Sequence, residues 1–362
     1  MADLLYGFHR IADRVDQLAA DPRNIQVVNE AVDVALGEHN RTTNELLNRL
    51  SLVTTDYLKL YKTGARSGSL QPIDEYGRAI PRRKPVGTEY SVGLPLLGGA
   101  DAVAGTYRAR QKRTVQDIND TIADMTNSDL NWLRFEFLSA FFADAPYTFV
   151  DEEHGSLSVK PLANGDTDQY LVNSSAGAAT DNHLQAIAGT ISDVNNPFTG
   201  IRKELLEHPE NSGSVVCFVS DDLLPAIEGL AGYTEFVDPN ITSSITVDRL
   251  TGSAPAVPFG EIRGYLRGAR VWIARYEGLN DVAAGDYILS LPTAGPAPLA
   301  MRQDPETGLQ GFFRRAIRED HPYWEAQYDR YAGFGAWNRV GAVITRVGNA
   351  AYAVPAGYAR SN

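Results

Sequence analysis

Six histidines, one cysteine and a few acidic pairs are the side chains of this 362-residue chain whose types could support catalysis or metal binding. The histidines, His9, His39, His154, His183, His208 and His321, are scattered, and none stands in an HExxH or comparable ligand spacing. Glu152-Glu153-His154 and Asp181-Asn182-His183 carry donors for an ion, but each reads first as a solvated surface turn. Cys217 lies in the apolar run Ser214-Val-Val-Cys-Phe-Val219, where a thiol is an inert core group without an intrachain disulfide partner. Asp221-Asp222 opens a helical segment, which favours capping over a catalytic carboxylate pair. Gly98, Gly99 and Gly105 do not form a dinucleotide fingerprint, and neither a Gly-Lys-Ser/Thr phosphate loop nor a Gly-x-Ser-x-Gly elbow occurs. The sequence therefore assigns no catalytic residue, no cofactor and no metal ligand.

A different kind of signal lies in Arg82-Arg83-Lys84, a basic cluster in a chain of net charge −12 with 45 acidic and 33 basic side chains. It can solvate an exposed loop, touch DNA, or meet an acidic surface on a neighbouring subunit. In an acidic protein the inter-subunit contact is the best functional reading, so Arg82, Arg83 and Lys84 are the candidate contact residues. The overall sign argues against a dedicated nucleic-acid reader, whose affinity depends on neutralising phosphates. No stretch approaches the roughly 20 apolar residues of a membrane span, and the first residues lack a signal-peptide pattern, so the expectation is a cytoplasmic chain without membrane contact. The sequons Asn40-Arg41-Thr42 and Asn240-Ile241-Thr242 are then chance matches.

The elements that must position these groups follow from periodicity. Apolar residues at three- and four-residue intervals predict helices over 4–18, from Pro22 to Gly37, and from Thr43 towards Tyr61. From 64 to 105 the chain turns polar and rich in Gly and Pro; Glu89-Tyr-Ser-Val-Gly-Leu94 could pair in a two-stranded arm with too few apolar residues for its own core. A long helix follows over 107–143, bounded by Pro146 and open to interruption at Thr126-Asn127-Ser128. Short strands and turns fill 147–200. A helix over 198–206, a buried strand over 214–220, a helix over 221–228, a loop over 241–260, and strands over 265–274, 287–291, 335–346 and 350–354 complete an α+β pattern.

That order of pieces resembles the major capsid proteins of tailed double-stranded DNA bacteriophages, which share the Hong Kong 97-type fold. The run from Gly213 to Ile227 looks like the family's axial-domain strand and helix, the run from Gly264 to Ile273 like its next strand, and Arg339-Val-Gly-Ala-Val-Ile344 with 350–355 like its closing strands. The resemblance implies an N-terminal helical arm (1–63), an extended loop (64–105), a peripheral domain with the spine helix (106–189) closed by 326–362, and an axial domain (190–325). It implies a non-enzymatic subunit of a virion capsid, assembled in the host cytoplasm from pentamers and hexamers of the chain. It also implies a separate scaffold protein, a portal protein, a decoration protein in some relatives, and non-specific contact with packaged DNA, from which an acidic wall would release readily. Many weak, reversible contacts let such a shell anneal its errors, and flexible arms suit that task. Two alternatives remain: an encapsulin-type nanocompartment shell, similar in fold, and an enzyme on an unrecognised α+β fold.

Overall fold

The computed structural model describes residues 22–62, 73, 75–77, 89–106, 115–173, 178–236, 260–280, 282, 286–320 and 323–360. The first expected helix (4–18) and the cluster Arg82-Arg83-Lys84 lie outside them. The chain divides into two compact units, one of Met1–Leu47, Leu96–Arg134 and Gln303–Ala332, the other of Asn48–Pro95, Phe135–Arg302 and Gly333–Asn362.

The described chain starts with α1 (Pro22–Leu50), and proline suits a first helical turn because its missing N–H would be unpaired there. The helix continues through Gly37, where a stop was expected. One glycine in an exposed position costs about 1 kcal/mol relative to alanine. Burial of Val32, Leu36, Thr43 and Leu47 on one side, with Arg41 paired to Glu38 and Glu45 on the other, outweighs it. The expected third helix stops at Leu50. Its second half forms β1 (Ser51–Thr54) and β2 (Leu58–Lys62), because β-branched Val53, Thr54 and Thr55 disfavour helix and β1 finds a parallel partner nearly 250 residues away.

β2 pairs with β3 (Glu89–Gly93), and β4 (Leu97–Thr106) follows as a ten-residue strand. α2 (Val115–Phe142) is an unbroken 28-residue helix about 42 Å long. Thr126-Asn127-Ser128 does not interrupt it; Thr126 Oγ1 donates back to the carbonyl of Ile122 at 3.0 Å and stays inside the helix. Then come the hairpin β5 (Tyr147–Asp151) and β6 (Gly155–Val159), the two-residue strands β7 (Tyr170–Leu171) and β8 (Ala178–Ala179), and β9 (Leu184–Ile187). α3 (Phe198–Leu206), β10 (Ser212–Val219), the short α4 (Leu224–Glu228), β11 (Tyr233–Glu235), β12 (Glu261–Leu266), β13 (Val271–Arg275) and β14 (Asp286–Ala294) lead to β15 (Leu299–Gln303). β16 (Phe312–Asp320), β17 (Tyr323–Gly335) and β18 (Val343–Val347) finish the order. The expected strand over 350–354 is absent. That stretch is fastened by side chains instead, with Tyr287 Oη donating to Ala353 O and Tyr352 Oη to Phe142 O.

In the first unit, β17 pairs antiparallel with β16 on one side and with β4 on the other. Trp324, Ala326 and Tyr328 alternate along it and meet Val32, Leu36, Met125 and Phe312 in one apolar cluster. The second unit is built on a seven-stranded mixed sheet in the order β11-β12-β13-β10-β14-β18-β9. β10 sits at its middle, parallel to β13 and antiparallel to β14, and Val215 to Val219 are buried without alternation because both faces are covered. Phe198, Ile201 and Leu205 of α3, at helical spacing, pack against that sheet. No described helix is long and apolar enough to cross a membrane.

Gly260 leads into β12 with φ +77°, and a Cβ built there would meet Arg275 O at 2.2 Å. Alanine at 260 should cost about 1–2 kcal/mol for the left-handed backbone alone, with the clash added. Gly268, open on all sides, should accept alanine within about 0.5 kcal/mol. Urea unfolding of both variants measures the difference.

Candidate functional site

The β2–β3 pair belongs to the second unit. Tyr90 and Val92 of β3 and the following Leu94 are buried, Tyr90 and Val92 beside Ala163, Tyr170 and Val340. Tyr61 of β2 stacks on Tyr90 at 4.8 Å and donates its hydroxyl to Glu210 Oε1 at 2.6 Å. The hairpin thus leans on its own chain, while Leu58 and Leu60 on its other face stay exposed. Tyr323 and Ile317 in the first unit, and Val150 and Val194 in the second, are further large apolar side chains left open to solvent.

Buried charge among the described residues includes three networks that the sequence did not single out. In the first unit, Arg330 on β17 makes a two-pronged bond to Asp129 on α2, whose Oδ2 also meets His39 Nε2 at 2.7 Å. In the second, Arg302 donates to Asp151 Oδ2 at 2.6 Å and Leu94 O at 3.1 Å. Burial alone would raise the Asp151 carboxyl, but Arg302 and the amides of His154 and Glu153 hold it below its ordinary value. Arg339 spans Asp166, Asp168 and the carbonyls of Pro161 and Leu162. A single Arg or Asp in a sequence carries no mark of such burial.

The two polar runs that could ligate an ion part ways. Glu152-Glu153-His154 is the exposed tip of the β5–β6 hairpin, turned by Asp151 Oδ1, which accepts from the amides of Glu153 and His154. Asp181-Asn182-His183, read as a solvated turn, is instead built inward. His183 is fully buried and meets His208, which follows the last turn of α3 and is equally buried. Asp181 Oδ2 lies 2.7 Å from His208 Nε2 and 3.3 Å from His183 Nε2. Burial works against charge on Asp181, but hydrogen bonds with His183 and His208 outweigh it and hold its carboxyl well below the usual range. Burial likewise opposes charge on His208, and its bond to Asp181, then Leu171 O, reverses the balance and raises it. Glu204 on α3 is pushed up to about 7 by burial and then by the negative charge of Asp181, and Glu207 is raised by the same two causes. The sequence held one usable signal, a His two residues after an Asp, but its partner His208 is 25 residues further on.

The remaining candidates are structural. Cys217 is fully buried in β10, accepts a hydrogen bond from Ser290 Oγ at 3.3 Å, and burial pushes its thiol up to about 12. A thiol-specific aromatic disulfide should leave it unlabelled for hours at pH 8 in the folded protein and react stoichiometrically in guanidinium; rapid labelling of native protein would contradict that burial. Asp221 does not cap the next helix, whose N-cap is Leu223 without a side-chain bond. It grips Arg275 and accepts from Asn280 Nδ2 at 2.7 Å, and these bonds lower its carboxyl to about 2.

Neither a protein-family model nor a curated protein sequence matches the chain. Among solved structures it is similar to a chain of Mycobacterium phage Patience, with a TM-score of 0.68 over 93% of each chain at 15% identity. Lower scores relate it to the mature capsid of bacteriophage PhiM1 (0.49, 7% identity, 84% and 87% of the two chains) and to the capsid of an empty GTA particle (0.48, 12%, 84% and 90%). At 15% identity the first likeness is one of fold, and it extends over nearly the whole of both chains.

Proposed function

We propose, from the Hong Kong 97-type fold that this chain has, that it is a major capsid protein whose copies form the shell around a double-stranded DNA genome. The observation that carries the reading is the fold likeness to the phage Patience chain over 93% of both chains. Exposed apolar residues on β2, β16 and β17 support it, since a subunit built to meet other copies keeps such side chains open until it assembles. In this reading 1–63 is the N-terminal arm, 64–105 the extended loop, 106–189 with 326–362 the peripheral domain, and 190–325 the axial domain. Pentamers and hexamers of the chain, a scaffold protein, a portal and in some settings a decoration protein are its partners, and the host cytoplasm is the place of assembly.

Expression of the full chain, alone and with the proteins encoded beside its gene, followed by sedimentation and negative-stain imaging, tests this. Closed particles, or free pentamers and hexamers, are expected. Monomer under every condition would overturn it, and particles that enclose an enzyme cargo would favour the nanocompartment reading.

Arg82, Arg83 and Lys84 are proposed to meet an acidic surface of a neighbouring subunit. Reversal of all three to Glu should then lower particle yield several-fold at low salt and less at high salt, because exposed charges more than about 10 Å apart are screened at 0.1 M salt. Equal yields at every ionic strength would leave the cluster a role in solubility only.

A further inference from the structure

Asp181, His183 and His208 confront one another with acceptors. Each imidazole has Nδ1 2.7 Å from a backbone carbonyl, Ala342 O for His183 and Leu171 O for His208. A carbonyl has no proton to give, so Nδ1 is the protonated nitrogen in both rings, and Nε2 of a neutral ring is a bare lone pair. The two Nε2 atoms lie 3.1 Å apart, with Asp181 Oδ2 3.3 Å from one and 2.7 Å from the other. Asp181 Oδ1 already accepts from the Asn182 amide at 2.7 Å, which leaves Oδ2 for the rings. Both histidines are fully buried, so these atoms face each other away from bulk solvent.

We propose that Asp181 Oδ2, His183 Nε2 and His208 Nε2 are three ligands of a divalent zinc-class ion. A proton on His208 Nε2 is one donor divided between Asp181 Oδ2 and His183 Nε2, whereas a cation among the three atoms bonds to each of them directly. A tetrahedral zinc ion with bonds of about 2.0–2.1 Å holds its ligand atoms roughly 3.3 Å apart. The ring-to-ring and His183-to-Asp181 separations already approach that value, and the third needs a shift of roughly half an ångström. The carbonyl bond at each Nδ1 is the kind of outer contact that orients a ligating imidazole and fixes its tautomer. Two imidazoles with one carboxylate suit zinc and its neighbours better than magnesium or calcium, which prefer oxygen alone.

The surroundings favour positive charge. Glu204 and Glu207 of the α3 end both interact with Asp181, and Glu207 Oε1 lies 4.0 Å from His208 Nε2, near enough to supply or orient a fourth ligand. His208 itself follows the C-terminal turn of α3, where the helix dipole attracts a cation. The ion would tie the turn before β9 to the end of α3 and, through the Nδ1 bonds, to Ala342 before β18 and to β7. It is therefore a structural clamp within the second unit, whatever the chain assembles into.

Full-length unassembled subunit, stripped with EDTA and dialysed into metal-free buffer, is titrated with zinc chloride by calorimetry and with cobalt(II) chloride by visible spectroscopy. Equimolar zinc, a higher melting midpoint and the intense visible bands of four-coordinate cobalt are expected. Asp181→Asn and His208→Gln should each weaken zinc at least about 10–100-fold. Parent protein that takes up no zinc would overturn the proposal, as would zinc binding and a cobalt spectrum unchanged in both variants; a proton alone would then join the three side chains. Should either variant fail to fold, the cobalt spectrum of the parent decides: weak bands of six-coordinate cobalt count against the site. Because the subunit is measured unassembled, failure here is separate from failure of the shell reading.

Discussion

Methionine in place of Arg330 should lower the unfolding free energy of the protein by about 3–5 kcal/mol, the usual cost of leaving one member of a buried ion pair alone. The side chains of Arg330 and Asp129 are each 1% exposed. Arg330 Nε donates to Asp129 Oδ1 and Nη2 to Oδ2 at 2.7 Å, while Nη2 also reaches Asn40 Oδ1 at 3.2 Å. Asn40 in turn accepts from the Phe312 amide and donates to the Phe312 carbonyl, so helix α1 and strand β16 rest on the same group. Without the guanidinium, Asp129 keeps His39 at 2.7 Å but loses its two-pronged partner on a helix face between the buried Met125 and Leu133. The double variant Asp129→Leu, Arg330→Met removes both charges and should lose clearly less than the sum of the two single changes. Urea titrations of parent, singles and double give the cycle. A single variant within about 0.5 kcal/mol of parent, the scale of an ordinary surface change, would show that the pair does not hold this unit together.

Arg339→Lys should destabilise the second unit by about 2 kcal/mol or more even though it keeps the charge, and Arg339→Met by about 3–5 kcal/mol. Arg339 is fully buried and uses the whole fork: Nε to Pro161 O, Nη1 to Asp168 Oδ2, and Nη2 to Asp166 Oδ2 at 2.7 Å and Leu162 O at 3.2 Å. Its planar group also lies over the rings of Tyr90 and Tyr170, 5.6 and 5.7 Å from their centres. An ammonium is a point charge with three donors on one atom. It cannot span two carboxylates and two carbonyls, and it stacks poorly. Lys160, which already meets Asp168, offsets part of the lost charge but reaches none of the backbone acceptors given to Arg339. Differential scanning calorimetry of the three proteins ranks them, and a lysine variant that melts with the parent would mean the fork geometry is dispensable. Tyr90 belongs to β3, within the segment that the capsid reading takes as the extended loop, so on that reading the same variants should also lower particle yield.

Elements with a local cause were legible in the residues. Proline at 22, the helical spacing of Phe198, Ile201 and Leu205, the apolar run around Cys217 and the long amphipathic stretch of α2 each carry their own signal, and α3, β10 and α2 stand where that signal puts them. The order of these pieces was enough to suggest the Hong Kong 97-type fold. Where two periodicities overlap the local signal fails: Leu50, Val53, Tyr57, Leu58 and Tyr61 fit a helix face, yet β1 pairs with Leu299 to Arg302, a partner no local window contains. The long strands β16 and β17 have no separate local signal, because adjacent charges such as Arg314-Arg315, Arg318-Glu319-Asp320 and Asp329-Arg330 break an apolar alternation, and pairing with distant segments sets their state. The polar interior is a product of long-range folding. Asp129 and Arg330 are 201 residues apart, and His183 meets a histidine on another element. Read singly, such residues have the composition of a solvated surface. What makes them buried is a partner supplied by a distant segment, and the free energy of that encounter has no counterpart in the local sequence.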